Sequence, residues 1–207
     1  MKPPISDIAF TESVKAIQAR MGSRKQYERM ETADGWENTI SMDLAAFIGE
    51  RDSFYFATAN ARGQPYIQHR GGPNGFLKLL DERTLAFADF AGNRQYISIG
   101  NLAENPQAFL FLMDYANQTR VKIWGRAEVV DNDPQLVKEL SDASYKGKPE
   151  RAIRFRVDAV DINCRQHIQP RFTQGEVEAL VQPLRERLAE LEAENAALKR
   201  AVGRRTP

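Results

Sequence analysis

The 207-residue sequence is poor in cysteine and histidine, with one cysteine and two histidines. A single cysteine excludes an intrachain disulfide framework and is typical of a reducing compartment. So few sulfur and imidazole ligands also argue against a zinc or iron site built from side chains. No apolar run approaches the roughly 18 residues of a membrane span, and the first residues lack the hydrophobic core of a signal peptide. We therefore expect a cytoplasmic protein without a membrane span or a metal site.

The sequence also has little net charge. Its 29 lysines and arginines nearly balance 28 aspartates and glutamates, which leaves a formal charge of +1. Such a balance gives no general attraction to nucleic acid or to an anionic membrane, so neither is expected as a partner. The length suffices for one well-cored domain plus an appendage. We expect a helical lead-in over residues 1–50, a β domain over residues 51–172, and a C-terminal helix and tail over residues 173–207.

Short apolar segments joined by tight turns dominate the middle of the chain, which favours an antiparallel barrel or sandwich over a parallel sheet. Two helices interrupt them: one predicted over Arg94–Leu102 with Asn93 as its cap, and one from Pro134 to about Tyr145. Helices in these places would cover the open ends of a barrel. The segments that read as strands are Ser53–Ala59, Tyr66–Arg70, Phe76–Leu80, Thr84–Phe90, Ala108–Met113, Arg120–Val130 and Ala152–Ile162.

The C-terminal segment carries a heptad repeat. Apolar residues recur at alternating steps of three and four, which is the spacing of the a and d positions of a coiled coil. The a positions are Val181, Leu188, Asn195 and Val202, and the d positions are Leu184, Leu191 and Leu198. A single Asn at an a position, with Leu at every d position, is typical of a register-fixed parallel pair of helices.

The charges that flank this repeat agree with pairing between two copies of the helix. Arg187 and Glu194 at g positions would face Glu192 and Lys199 at e positions of the partner, and both pairs are opposite in sign. Pro183 limits the regular part to the residues after it or bends the helix there. The alternative is a long amphipathic helix that lies on its own domain.

Two arginines stand where a phosphate could be held. Arg70 ends a strand and precedes Gly71 and Gly72, where the absence of side chains lets a ligand approach the backbone. Arg94 follows Asn93 at the predicted helix start, where free N–H groups and the helix dipole favour an anion. Each arginine alone could equally be a solvated surface residue. Their joint placement at the ends of neighbouring strands predicts an anion site.

The segment after the last strand is dense in polar groups and contains Cys164 and His167. A thiol and an imidazole three residues apart invite a nucleophile interpretation. The sequence offers no third partner for such a pair, so a pocket lining or a plain link to the C-terminal helix is the alternative. Together with His69, these two residues are the candidate catalytic groups, because a histidine or a perturbed thiol titrates near neutral pH.

Phe54–Val130 resembles the FMN-binding split barrel of the pyridoxamine 5'-phosphate oxidase-like superfamily. The resemblance lies in Arg70 at a strand end, in Phe87–Gln95, and in Asn101–Ala108, which matches the family's Asn-Leu-x-x-Asn-Pro turn. Arg120–Glu128 is similar to the family strand that ends Gly-x-Ala-Glu. The resemblance implies a mostly β fold with helices (α+β): an antiparallel, six-stranded split β-barrel of Greek-key type, with covering helices and the C-terminal coiled-coil helix.

The resemblance further implies a homodimer that holds one FMN per subunit at the dimer interface. Asn93 stands where a serine is common in the family, Gln95 where a lysine is common, and Arg120 where a glutamine usually touches the flavin. Ala88 and Asp89 would offer backbone contacts. The candidate cofactor-binding residues are therefore His69, Arg70, Gly71, Gly72, Ala88, Asp89, Asn93, Arg94, Gln95 and Arg120.

Three functions stay open from the sequence. The first is an FMN-dependent oxidoreductase that acts on a small molecule, with the flavin supplying the redox chemistry. The second is a non-catalytic module that binds or senses flavin, haem or deazaflavin, since relatives in the superfamily bind haem or deazaflavin. The third is an interaction protein that acts through its coiled coil. Family oxidases carry a Trp- and Arg-bearing segment where this chain has Asn163–His167, which argues against vitamin B6 oxidation.

Overall fold

The computed structural model describes residues 3–31, 35–163 and 165–203. The chain divides into two compact units, the first formed by residues 1–114 and 118–167 and the second by residues 115–117 and 168–207. Six α-helices lie within the described residues, after a 3-10 turn at Ile5–Ile8: α1 Glu12–Arg20, α2 Arg24–Glu31, α3 Met42–Gly49, α4 Ile97–Glu104, α5 Pro134–Leu140 and α6 Gln174–Gly203. None of these helices combines the length and apolar character that crossing a bilayer requires.

One antiparallel sheet of seven strands forms the body of the first unit. Its order is β2-β1-β5-β6-β7-β4-β3. Within the described residues no ladder joins β2 to β3 or β4, so the sheet is curled but not closed by backbone hydrogen bonds. The strands are β1 Ser53–Ala59, β2 Pro65–Gly71, β3 Lys78–Asp81, β4 Thr84–Phe90, β5 Gln107–Asp114, β6 Thr119–Val130 and β7 Pro149–Asn163.

The mostly β, α+β prediction is confirmed, with two corrections. The sheet has seven strands rather than six, because the short β3 pairs with β4 at its edge. The helix predicted to reach Tyr145 ends at Leu140, where the Ser141 backbone turns extended. The Ser141 hydroxyl hydrogen-bonds the Val137 carbonyl there, which is the local competition that makes serine a poor continuation of a helix.

The core lies on the concave face of the sheet, toward which alternate residues of β5 and β6 point. In β5, Ala108, Leu110 and Leu112 are buried while the residues between them are partly exposed or exposed. The ring of Phe87 meets Phe54 and Phe56 edge-on, with centroids 5.1 Å and 5.6 Å away. The largest fully buried side chains are Phe54, Phe56, Phe87, Phe155, Ile48, Leu85, Leu110, Leu112, Ile123, Ile153, Val121 and Val157.

The Asn-Leu-x-x-Asn-Pro segment fastens α4 onto this core. The buried Asn101 amide donates to Thr58 Oγ1 at 3.0 Å, so both polar groups are satisfied inside the unit. Asn105 Oδ1 accepts from the Gln107 backbone at 3.0 Å, a side-chain turn that ends the helix and starts β5. The motif therefore fixes where α4 sits between β1 and β5.

Gly125 tests the close packing between β6 and β7. The register shifts beside it, and a Cβ there would lie 2.1 Å from the Arg156 carbonyl oxygen and 2.6 Å from the Phe155 ring. We expect Gly125→Ala to lower the free energy of unfolding by about 3 kcal/mol or more, because backbone and core would have to move. Gly100→Ala is the matched control, since nothing lies within 4 Å of its Cβ position in α4. That change should stabilise by about 0.5–1 kcal/mol. Urea denaturation measures the free energy of unfolding of both variants. An unchanged or raised free energy of unfolding in Gly125→Ala would contradict the packing argument.

Candidate functional site

A groove opens in the first unit between β2, β4 and the loop that leads into α4. It encloses about 410 Å³ of empty space that is partly open to solvent. Its lining residues are Tyr66, Gln68, Arg70, Asp89, Phe90, Gly92, Asn93, Arg94, Gln95, Tyr96, Ile97, Ser98, Ile99 and Glu150.

Strand alternation decides which β2 side chains reach the groove. Tyr66, Gln68 and Arg70 lie two residues apart and line it. His69 points to the other face of β2, where its ring packs edge-on against Tyr55 with centroids 5.7 Å apart. The structure therefore separates His69 from Arg70, although they are adjacent in sequence.

Arg70, Asp89 and Arg151 form the electrostatic centre of the groove wall. The Arg70 guanidinium donates to Asp89 Oδ1, and Arg151 Nε lies 3.6 Å from Asp89 Oδ2. Only 8% of the Asp89 side chain is exposed, against 13% of Arg70 and 18% of Arg151. Two guanidiniums thus share one carboxylate in a place with little water to screen them. Arg151 also contacts the Glu150 and Asp131 carboxylates at 3.2 Å and 3.7 Å.

The Nε atoms of Arg70 and Arg151 are both buried, and neither has a hydrogen-bond partner within the described part of the chain. A buried N–H donor without an acceptor is costly, by about 1–3 kcal/mol. The Arg151 guanidinium also lies 5.4 Å from the centroid of the Tyr96 ring. Both Nε atoms are buried behind the groove surface, so the outer guanidinium nitrogens of Arg70, which lines the groove, are the donors that a bound acceptor could reach.

The loop before α4 differs from its prediction. The helix begins at Ile97, whereas Asn93 was expected to cap a helix starting at Arg94. Arg94 and Tyr96 have φ values of 59° and 52°, which a right-handed helix cannot contain. Asn93 Oδ1 accepts instead from the Gln95 backbone at 3.2 Å, forming a turn ahead of the helix. The side chains of Asn93, Arg94 and Gln95 are exposed along this turn.

The first turn of α4 faces the groove. Tyr96 stands at the N-cap position and gives no side-chain hydrogen bond to the helix, while Ile97, Ser98 and Ile99 line the groove. Ser98 Oγ lies 3.1 Å from Gln68 Oε1, which joins the helix start to β2. The free N–H groups of a helix start carry partial positive charge and favour an anion. The helix start and the arginine side chains therefore all favour a negatively charged group in the groove.

Other candidate residues lie outside the groove of their own chain. Gly72 approaches Phe76 so closely that a Cβ would lie 2.5 Å from the ring, which gives this glycine a packing role. The Ala88 side chain is buried in a small cluster with Leu136 and Leu140 of α5. Arg120 opens β6 on the convex face, opposite the inward Val121. Gly71, at the end of β2, is likewise absent from the lining.

The candidate catalytic groups do not converge in the described residues. His69 lies on the convex face, and His167 is exposed with a φ of 63°, away from the groove lining. Cys164 lies outside the described residues. No group of three or more His, Cys, Asp or Glu within the described ranges is placed to hold a metal ion.

Sequence reasoning missed Arg151 and the aromatic residues Tyr66 and Tyr96. Arg151 faces Asp89 directly across the β4–β7 ladder, so the two form a cross-strand pair of opposite charge. The sequence does show Arg151 near the start of a strand with alternating apolar and polar residues. The register that pairs it with Asp89 is not readable from either strand alone, because a shift of one residue would exchange the faces.

Within the part of the chain that the structure describes, the fold is a seven-stranded sheet that is curled but not closed, with a groove lined by Arg70 and Arg94. The family model for pyridoxamine 5'-phosphate oxidase matches residues 40–164, which is more than half of the chain. The chain therefore belongs to the pyridoxamine 5'-phosphate oxidase family, which confirms the resemblance seen in the sequence.

Solved structures with a similar chain path come from several bacteria. HupZ from Group A Streptococcus is 18% identical, with a TM-score of 0.50 over 64% of this chain and 99% of its own. An FMN-binding protein from Syntrophomonas wolfei is 11% identical, with a TM-score of 0.47 over 73% of this chain and 97% of its own. A protein from Clostridium acetobutylicum that is related to general stress protein 26 is 13% identical, with a TM-score of 0.45 over 66% of this chain and 95% of its own. At 18% identity the likeness to HupZ supports the fold alone, and no curated protein matches the chain.

Removal of the shared carboxylate tests the electrostatic centre. We expect Asp89→Ala to lower the free energy of unfolding by about 3 kcal/mol, because breaking a largely buried ion pair leaves charge uncompensated. Asp158→Ala is the matched control, because its partner Arg126 keeps 56% of its side chain exposed. That change should cost less than about 1 kcal/mol. Equal losses in urea denaturation would show that the arginines do not depend on Asp89.

Proposed function

We propose that this chain is an FMN-binding flavoprotein that works as an oxidoreductase on a small molecule. The observation that carries the proposal is the groove itself, which is lined by Arg70, by Arg94 and by the first turn of α4. The ion-pair network beside it carries no excess of positive charge, because Arg70 and Arg151 contact Asp89, Glu150 and Asp131. The exposed Arg94 and the helix start therefore supply the positive charge that the acceptor oxygens of a phosphate monoester could bind.

The residues present fit FMN at its phosphate end. Arg94 is exposed at the groove margin and free to turn its guanidinium toward an anion, while the N–H groups of Ile97 and Ser98 lie at the helix start. Arg70 would hold the phosphate from the opposite wall. Tyr66 and Tyr96 offer rings and hydroxyls for the remainder of the ligand. When bound, FMN supplies hydride and electron transfer, and the protein supplies position and hydrogen bonds.

A homodimer is part of the proposal. The convex face of the sheet carries exposed apolar groups, including Ile67 with 60% and Tyr55 with 36% of their surface exposed. Arg120 and His69 also lie on this face, so they would serve a cofactor only across an interface with a second subunit. Ala88 and Gly72 would contribute through their backbone or their packing rather than through side chains. The single cysteine is consistent with the cytoplasm, which we propose as the compartment.

A second candidate function is non-catalytic binding of flavin, haem or deazaflavin. One observation favours it: within the described residues, no histidine or cysteine lines the groove. Without a group that titrates near neutral pH, proton transfer to a substrate would depend on solvent or on the flavin itself. Consumption of NADH or NADPH by the FMN-loaded protein would favour the oxidoreductase, whereas tight FMN binding without turnover would favour the binding module.

Titration of FMN against riboflavin tests the phosphate site, since the two ligands differ only in the phosphate. We expect FMN to bind at least about 100-fold tighter, because two or more charge-assisted hydrogen bonds contribute about 1.5–3 kcal/mol each. Arg94→Ala, at an exposed position that spares the fold, should weaken FMN about 10-fold or more and leave riboflavin unchanged. The Arg70→Ala/Arg94→Ala double variant should remove the preference.

Arg62→Ala is the control for these variants, because Arg62 is an exposed arginine in the turn between β1 and β2. It should bind FMN as the unmodified protein does. Equal affinity for FMN and riboflavin, or no flavin bound at all, would overturn the proposal. Intense absorption typical of haem after addition of haemin, without flavin binding, would favour haem as the ligand instead of flavin.

A further inference from the structure

We infer that α6 pairs with α6 of a second copy of this chain as a parallel, in-register, two-stranded coiled coil. The helix runs for 30 residues, which corresponds to about 45 Å. Its d-position leucines are exposed, by 69% at Leu184, 45% at Leu191 and 66% at Leu198. Leu188 at an a position is exposed by 57%. This inference does not rest on flavin binding.

The regular part of the repeat begins just after Pro183, which the helix accommodates. Pro183 falls at a c position, on the outer side of the helix, so its ring does not enter the apolar stripe. From Leu184 onward every a and d position is occupied by leucine or asparagine up to Leu198. A stripe of this length and purity, flanked by charges, fits a second helix of the same kind.

Charge supports a second copy as the occupant but does not decide its orientation. In a parallel pair Arg187 would face Glu192, and Glu194 would face Lys199, of the partner helix. In an antiparallel pair that aligns the a and d layers, Arg187 would face Glu194, and Arg185 would face Glu192. Both arrangements pair opposite charges. In the single chain Arg187 instead contacts Glu190 on its own helix at 2.8 Å, an exposed pair that exchanges at little cost.

Asn195 decides the orientation. In the parallel arrangement the two Asn195 amides meet in one layer, where each can donate to and accept from the other. In the aligned antiparallel arrangement each Asn195 would face Leu184 and lose its hydrogen-bond partner to an apolar layer. An unpaired buried amide is costly, whereas a paired one fixes the register. The sequence of the stripe therefore selects the parallel pair.

Disulfide trapping tests the orientation. In a Cys164→Ser background, Asn195→Cys would place the two thiols in one core layer of a parallel coil, within the Cα separation of about 4.4–6.8 Å that a disulfide needs. In the antiparallel arrangement the same thiols would lie about 16 Å apart along the axis. We expect near-complete covalent dimer under mild oxidation at micromolar concentration, seen on a non-reducing gel.

Ala193→Cys is the matched control, because an f position lies on the outer side of each helix and should give little covalent dimer. A mixture of Leu184→Cys chains and size-tagged Asn195→Cys chains reports the opposite orientation, since the mixed pair becomes covalently linked only when those two positions face each other. Asn195→Cys that remains monomeric on the gel, with a monomeric mass in light scattering, would overturn the inference. So would equal trapping at residues 193 and 195.

Asn195→Leu provides a second readout that does not depend on thiols. Replacing the paired amides by leucine should raise the melting temperature of the coil and allow additional oligomers, because the register is no longer fixed. An unchanged single species with an unchanged melting temperature would mean that Asn195 does not lie in a core layer. FMN affinity should be the same in this variant, so a failure of the coil is distinguishable from a failure of the flavin site.

Discussion

The contact between Arg70 and Asp89 joins two parts of the sheet that backbone hydrogen bonds leave apart. β2 is the first strand in the sheet order and β4 the last but one, so the sheet must curl through five ladders to bring them together. The gap between β2 and β4 forms a seam in the sheet. Phe54 stacks on Phe76 and meets Phe87 edge-on just inside this seam. The seam is therefore held by side chains, namely one ion pair above an aromatic core. Removing either partner of this largely buried ion pair would leave an uncompensated charge at the seam.

An open seam held by charge has a chemical consequence for the groove. A closed ladder would use its N–H and C=O groups internally, whereas here β2 and β4 present arginine and aspartate to a shared cavity. Arg151 extends this contact into a network with Glu150 and Asp131, so the network carries no excess of positive charge. The start of α4 adds partial positive charge at the same rim. The feature that leaves the barrel split thus also brings Arg70 to the groove, where the proposed phosphate site would use it.

Much of this arrangement was predictable from local patterns, and the remainder depended on long-range geometry. All seven segments predicted as strands contribute a strand to the sheet, and α4 ends just before the Asn105–Pro106 pair. The start of α4 was wrong, because nothing in the sequence required positive φ at Arg94 and Tyr96, which are not glycines. Arg151 was missed because its role depends on the β4–β7 register. His69, adjacent to Arg70 in sequence, lies on the opposite face of β2, so its contact with a cofactor stays a prediction that involves a second subunit. Local patterns fail where the placement of a residue depends on a partner distant in sequence, as at Arg151.

The two pairing surfaces proposed for this chain would restrict the assemblies that it can form. A parallel two-stranded coil has a two-fold axis along its length, and an isologous pair of β units has a two-fold axis of its own. If the same two chains use both surfaces, the two axes must coincide and the assembly stops at a dimer. If the axes differ, each chain pairs with one copy through its β unit and with another through α6, and the assembly grows beyond two chains. The register proposed for Asn195 therefore governs more than the strength of the coil, since an in-register parallel pair keeps the two-fold symmetry that a closed dimer needs and a staggered parallel pair loses it.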